Sequence, residues 1–241
     1  MLDFNRSNIS GTPLSVAINA LIEAAEPLEA NSRKYLGAST IGSECLRRVQ
    51  YDWVCDPQHL TRIRDIFARG HDFEEVSRQH LIRAGFHFAP TERLSFAAAD
   101  GLFRGHADGI LAAGPELAGM GYPAIWEHKA LGAKGWHAIE RDGLERAYPQ
   151  YAAQIWLYQG YLDLTRPALF TATNADTCER LHLLLPFNAE QAQAWSDHAV
   201  AVIRATCAGE LLPRCCDDPT DWRCKMCGHG AGHECFGAVR Q

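Results

Sequence analysis

The run "IWEHKA", Ile125 to Ala130, sets a glutamate, a histidine and a lysine inside an apolar, strand-like stretch. Ionised side chains are costly to bury unless paired or bound to a metal. The run therefore reads either as an edge strand with one wet face or as a site of chemistry. Side chains alternate along a strand, which puts Glu127 and Lys129 on one face and Trp126 and His128 on the other. Upstream, "GHADGIL" places Asp108 in a second strand-like run beside Ile110 and Leu111. Two neighbouring strands of this kind bring two carboxylates and an amine together. Carboxylate oxygens, with a backbone carbonyl and waters, suit a hard octahedral cation such as Mg2+ or Mn2+. Such an ion polarises a phosphoryl oxygen and makes a bound water more acidic. A lysine beside it orients or deprotonates that water and offsets charge on the phosphate. His128, next to both, is a further candidate metal ligand.

A second group of chemistry-bearing residues ends the chain. Of nine cysteines, Cys215, Cys216, Cys224, Cys227 and Cys235 crowd the last 27 positions, whereas Cys55, Cys178 and Cys207 stand among apolar neighbours and read as core residues. An odd number in a reducing compartment favours metal binding over disulfides. In "CKMCGHGAGHEC" the C-x-x-C step lets Cys224 and Cys227 grip one metal, and the glycines let Cys235 loop back as a third ligand. Cys215, Cys216, His229 and His233 are near enough in sequence for a zinc knuckle built from the tail alone.

These residues need elements to hold them. Thr12 to Ala30 reads as an amphipathic helix, Ile41 to Val54 as a second with Ser43 as its N-cap, and Leu60 to Gly85 as a third. Gly70, inside the third, points to a close approach on its side. Short strand-like runs follow, then a helix over Arg146 to Leu164, two more strands, and a helix from an Asn188 cap to a Gly209 stop. The order implies an α/β fold, a central mixed sheet flanked by helices. It divides into an N-terminal helical region (1–60), a core (61–210) and a Cys/His-rich metal-binding tail (211–241) too poor in aliphatics to build a core of its own.

The 241 residues are 47% hydrophobic, enough for a sizeable core, and the net charge of −6 does not advertise a nucleic-acid binder. The first residues lack a basic stretch followed by an apolar run, and no segment is apolar for the length of a bilayer, so a cytoplasmic protein without a membrane span is expected.

Taken together, "GHADG" and "WEHKA" resemble the aspartate strand and the E-x-K strand of the PD-(D/E)xK nuclease superfamily, in its RecB-like exonuclease branch. "QIWLY", Gln154 to Tyr158, is similar to that branch's Q-x-x-x-Y helix motif, with both side chains on one helix face. "RGHDFEE" matches its G-x-x-x-E motif at Gly70 and Glu74, with His71 as an alternate to Glu74. Cys45, before "LRRVQYDW", resembles the single N-terminal cysteine that iron–sulfur members pair with three C-terminal ones. The resemblance spans Cys45 to Cys235 and implies a DNA exonuclease acting on single-stranded ends in phage recombination, repair or a CRISPR-adjacent system. Asp108, Glu127 and Glu74 would be ligands of Mg2+ or Mn2+, Lys129 would position water, and Gln154 and Tyr158 would hold the strand. Cys45, Cys224, Cys227 and Cys235 would hold a 4Fe–4S cluster, with structural zinc as the alternative. Arg47, Arg48 and the "RIRDIFARG" run would line a DNA path. A non-catalytic, metal-stapled DNA-binding or scaffold module on the same fold is the competing implication.

Overall fold

The computed structural model describes residues 11–25, 34–55, 61–225, 227, 229 and 235. In chain order the elements are α1 (Pro13–Ala25), β1 (Leu36–Gly37), α2 (Leu46–Val54), α3 (Thr61–Arg83), β2 (His87–Phe88), β3 (Ser95–Ala98), β4 (Phe103–His106), β5 (Gly109–Ala113) and β6 (Ala124–Leu131). Then come α4 (Ala133–Asp142), α5 (Leu144–Ala147), α6 (Pro149–Tyr161), β7 (Ala168–Asn174), β8 (Arg180–Leu185), α7 (Ala189–Cys207) and α8 (Trp222–Lys225).

The strands form two mixed sheets: five strands in the order β2-β5-β6-β7-β8, and three in the order β1-β4-β3. β6 and β7 run parallel at the centre of the larger sheet, with antiparallel partners on either side. Strands covered on both faces read as continuous apolar runs, and all seven residues of β7 are buried. On one face Ile125 and Phe170 meet Ile155 and Tyr158 of α6; on the other, Trp126, Leu111 and Leu169 meet Leu81 of α3 and Phe86. Removing each such side chain from water stabilises the fold by about 1.5–3 kcal/mol. α6 begins with Pro149 in its first turn and is buried without a break from Ala152 to Gln159, so it is a core helix. α7 starts where expected, with the Asn188 side chain accepting from the Gln191 N–H at 3.0 Å, and the chain leaves it through Gly209 at φ +73°.

Several local expectations need correction. α2 begins at Leu46 with Cys45 in the cap position; the Ser43 hydroxyl accepts from the Cys45 N–H, at 3.4 Å, ahead of the helix. Gly70 has open space among the described residues where a Cβ would stand, so no close approach explains it; Gly42 is a glycine that does meet one, since a Cβ there would lie 2.5 Å from the Gln150 backbone. Cys178 and Cys207 are exposed and Cys55 is half-buried, because they fall at a turn and at helix ends instead of in the core. The stretch from Phe103 to Ala113 is not one strand. It breaks at Ala107 and Asp108, and its two halves enter different sheets. α4 and α5 were not foreseen, since glycines at 132, 135 and 143 obscure the helical spacing of Trp136 and Ile139. The last residues of the first expected helix, and His233, lie outside the described residues.

Candidate active site and thiol cavity

β6 is an interior strand, so "IWEHKA" has no wet edge. Glu127 has no exposed surface. Its neighbours decide its state. Lys129, two residues on and therefore on the same face, donates a very short hydrogen bond to Glu127 Oε1 and lies 3.8 Å from Asp108 Oδ2. Asp108 reaches this point because the chain turns there from one sheet into the other. Gly109 pairs with Trp126 across β5 and β6, and Asp108 Oδ2 accepts the His128 backbone N–H at 2.8 Å. The structure thus sets the Lys129 ammonium against both Glu127 and Asp108.

Burial pushes the Glu127 carboxyl up to about 8, and the Asp108 charge pushes the same way against Lys129. Burial works against the Lys129 ammonium, but the Glu127 and Asp108 carboxylates outweigh it and hold its pKa above the ordinary value. Glu74, on α3, is raised by burial and then by Asp108, while its neighbour His71, 3.6 Å away, lowers it. Glu74 is thus within electrostatic reach of the group, and His71 stands beside it at the exposed rim. Glu75, next to Glu74, is solvated and accepts from the Gln79 amide at 2.7 Å.

These donors fit a hard cation. They are carboxylate oxygens, the Asp108 charge helping to raise both Glu127 and Glu74, and the buried Glu127 Oε2 has no hydrogen-bond partner among the described residues. Among those residues no three Asp, Glu, His or Cys side chains are drawn together to grip an ion as they stand. The cation between the two carboxylates is the Lys129 ammonium. His128 does not join them. Its ring lies on the opposite face, Nδ1 sits 2.8 Å from Thr171 Oγ1, and burial lowers its pKa to about 3, so only its backbone faces Asp108.

Gln154 and Tyr158 do share a face of α6, and the Gln154 amide donates to Tyr158 Oη at 2.9 Å. Both are buried, however, with Tyr158 against Phe96, so they form the inner wall of the site and not an open surface. Burial, then the Glu127 charge, raises the Tyr158 phenol. Sequence reasoning missed Tyr151, three residues before Gln154 on the same face: its ring lies 5.4 Å from Lys129 Nζ and stacks on Tyr148 at 4.8 Å. Helical spacing was the available signal.

A cavity of about 360 Å3 opens between the segment before α2 and the tail, lined by Cys45, Cys215, Cys216, Cys224, Cys227 and Cys235. Gln50 fixes the two segments together. It donates to Thr206 Oγ1 and the Glu210 carbonyl, and accepts from the Leu212 N–H, at 3.1, 2.7 and 2.7 Å. Arg47, expected on a DNA path, instead donates to the Leu212 carbonyl at 2.8 Å. Arg48 lines the thiol cavity and lies 3.5 Å from Asp52. Asp52 also holds the buried His229 at 3.0 Å, which engages that imidazole. The cavity therefore gathers the four expected cysteines and adds Cys215 and Cys216.

No family model matches the chain, and no curated protein matches it in sequence. Among solved structures, it is similar to the alkaline exonuclease LHK-Exo of Laribacter hongkongensis, 13% identical, over 76% of this chain and 92% of that one, with a TM-score of 0.54. LHK-Exo in complex with dAMP aligns at 14% identity over 73% and 89% of the two chains, TM-score 0.51. SSO0001 aligns at 15% over 88% and 90%, TM-score 0.48. At these identities the likeness is one of fold. The chain has a mixed α/β fold of two mixed sheets flanked by helices, similar to that of an exonuclease.

Proposed function

We propose that the protein is a divalent-metal-dependent DNA exonuclease of the PD-(D/E)xK superfamily, in its RecB-like branch, hydrolysing phosphodiester bonds at single-stranded DNA ends. The observation that carries this reading is Glu127, a carboxylate without exposure on an interior strand, one oxygen unpartnered, facing Asp108 and Lys129. Lys129 satisfies one oxygen of this buried group, and the other is left for a second cation. Asp108 and Glu127, with Glu74 as a further ligand, would hold Mg2+ or Mn2+, which supplies polarisation of the phosphoryl oxygen and a more acidic water. Lys129, an ammonium held by two carboxylates, orients the attacking water and offsets charge as it develops on the phosphate. Gln154 and Tyr158 back the wall against which the strand lies, and the neutral His128 ring supports β6 from its other face. The likeness of fold to an exonuclease, one of whose structures holds dAMP, favours a deoxynucleotide substrate.

In the same reading the core spans 61–210, and the tail (211–241) is stapled to the N-terminal region (1–60) by a 4Fe–4S cluster on Cys45, Cys224, Cys227 and Cys235, structural zinc being the alternative. The setting is cytoplasmic: phage recombination, repair or CRISPR-adjacent processing.

End-labelled single- and double-stranded DNA and circular DNA, incubated with Mn2+ or with EDTA, test the proposal. Cleavage from ends that needs Mn2+, spares circles and disappears in Glu127→Ala and Lys129→Ala is expected. No cleavage, or cleavage unchanged in those variants, would leave a DNA-binding or scaffold module.

A further inference from the structure

The Lys129 ammonium has a third neighbour besides its two carboxylates. It lies over the ring of Tyr151, 5.4 Å from the centroid, while it donates to Glu127 Oε1 and stands 3.8 Å from Asp108 Oδ2. The ring is itself fixed. Tyr148 stacks on it with centroids 4.8 Å apart and planes at 16°, and Phe170 stacks at 6.3 Å and 25°. Phe170 is buried in β7 directly across from Glu127. A Cβ at Gly135 of α4 would lie 2.2 Å from Tyr148 Oη, so the stack is gripped by the sheet on one side and by α4 on the other. Among the described residues no hydrogen bond engages the Tyr151 hydroxyl. What the site uses is the ring face.

We propose that Tyr151 is a positioning residue, its ring face holding the Lys129 ammonium in the direction in which it orients the attacking water. The inference rests on the nuclease reading of Lys129. A lysine ends in a compact charge on a flexible four-carbon stem, so two carboxylates alone do not fix its direction. Asp108 and Glu127 are also the expected ligands of Mg2+ or Mn2+, and an ion there shares their charge. The ring face has no such competitor. Its negative quadrupole attracts an ammonium at this distance, whereas a hard divalent ion takes oxygen ligands. Tyr151 therefore restrains Lys129 whether or not the carboxylates hold metal.

The test weakens the ring face while nearly keeping its size. Phenylalanine and its mono-, di- and trifluorinated forms are placed at position 151, each fluorine drawing electron density from the face that meets the cation. Tyr151→Phe should retain Mn2+-dependent cleavage of end-labelled single-stranded DNA. Tyr151→Leu should lower kcat about 10- to 100-fold with KM within about twofold, and log kcat should fall stepwise along the fluorinated series. A residue that only fills space would give a flat series, and that result overturns the inference. So does a loss in Tyr151→Phe as large as in Tyr151→Leu, which would hand the role to the hydroxyl. A second readout needs no cleavage. In EDTA, urea midpoints should fall from phenylalanine to its trifluorinated form more steeply in the wild-type background than in Glu127→Gln/Lys129→Met, which removes the ammonium without stranding Glu127 as a buried carboxylate. Equal shifts, or a larger shift without the ammonium, overturn the contact. If the wild type cleaves no DNA, the nuclease reading fails and the midpoints alone decide whether the ring holds Lys129.

Discussion

Replacing Glu127 by glutamine keeps the shape of the side chain and removes its titration, and that isolates the most perturbed carboxyl of the site. In the unfolded chain a glutamate loses its proton near 4.5, whereas the folded, buried Glu127 holds it to about 8. Between those limits the native state binds a proton that the unfolded chain has released, so stability falls as pH rises across the window. The contribution is complete below the unfolded pKa and gone above the folded one. At about 1.4 kcal/mol per decade of proton concentration, the difference amounts to about 5 kcal/mol, a ceiling because Lys129 shares the charge. Urea unfolding in EDTA at pH values of about 5, 6.5 and 8 measures it through the midpoint and slope. Wild-type protein should lose stability along the series more steeply than Glu127→Gln. Glu74 titrates in the same sense in both proteins and drops out of the comparison. Saturating Mn2+ should flatten the wild-type curve, since an ion competing with the proton stabilises the carboxylate most where protons are scarce. Parallel profiles for the two proteins in EDTA would refute the reasoning, because Glu127 would then not be the group that holds the buried proton.

Lys129→Met should reduce Mn2+-dependent cleavage about 10²–10³-fold, the usual cost of losing one donor aimed at developing charge, with DNA binding in Ca2+ retained by gel shift. Gln50→Leu should destabilise the protein by about 2–4 kcal/mol in urea melts, because the Glu210 carbonyl and the Leu212 N–H lose their partner together. Tyr158→Phe should cost about 1 kcal/mol of stability and leave cleavage little altered, since the hydroxyl is spent on Gln154 within the wall. A large loss of cleavage there would instead make the hydroxyl a strand contact.

The Glu127–Lys129 pair was legible because it depends on a local period. Two residues along a strand is one face, so Glu127 and Lys129 had to meet wherever β6 lay. Asp108 was legible as a residue but not as a position. Its placement depends on the chain passing from the three-stranded to the five-stranded sheet at that point, a long-range pairing that no short window records. Arg47 and Arg48 could be seen as basic residues on a helix face, yet their partners at Leu212 and Asp52 turn them toward the tail and the thiol cavity. Gly70 misled because a glycine in a helix records permission for a close approach, not the presence of one.

Composition and spacing alone determined that this chain carries a carboxylate–lysine strand, a Q-x-x-x-Y helix and a thiol-rich tail within an α/β frame. Those are properties of side-chain type and local periodicity. Only the tertiary structure decided that Glu127 is wholly buried, that His128 faces away, that Gln154 and Tyr158 bond to each other, and that six cysteines share one cavity. Burial and contact between distant segments come from how whole elements stack, and that packing sets the charge state and the partner of every group in the site.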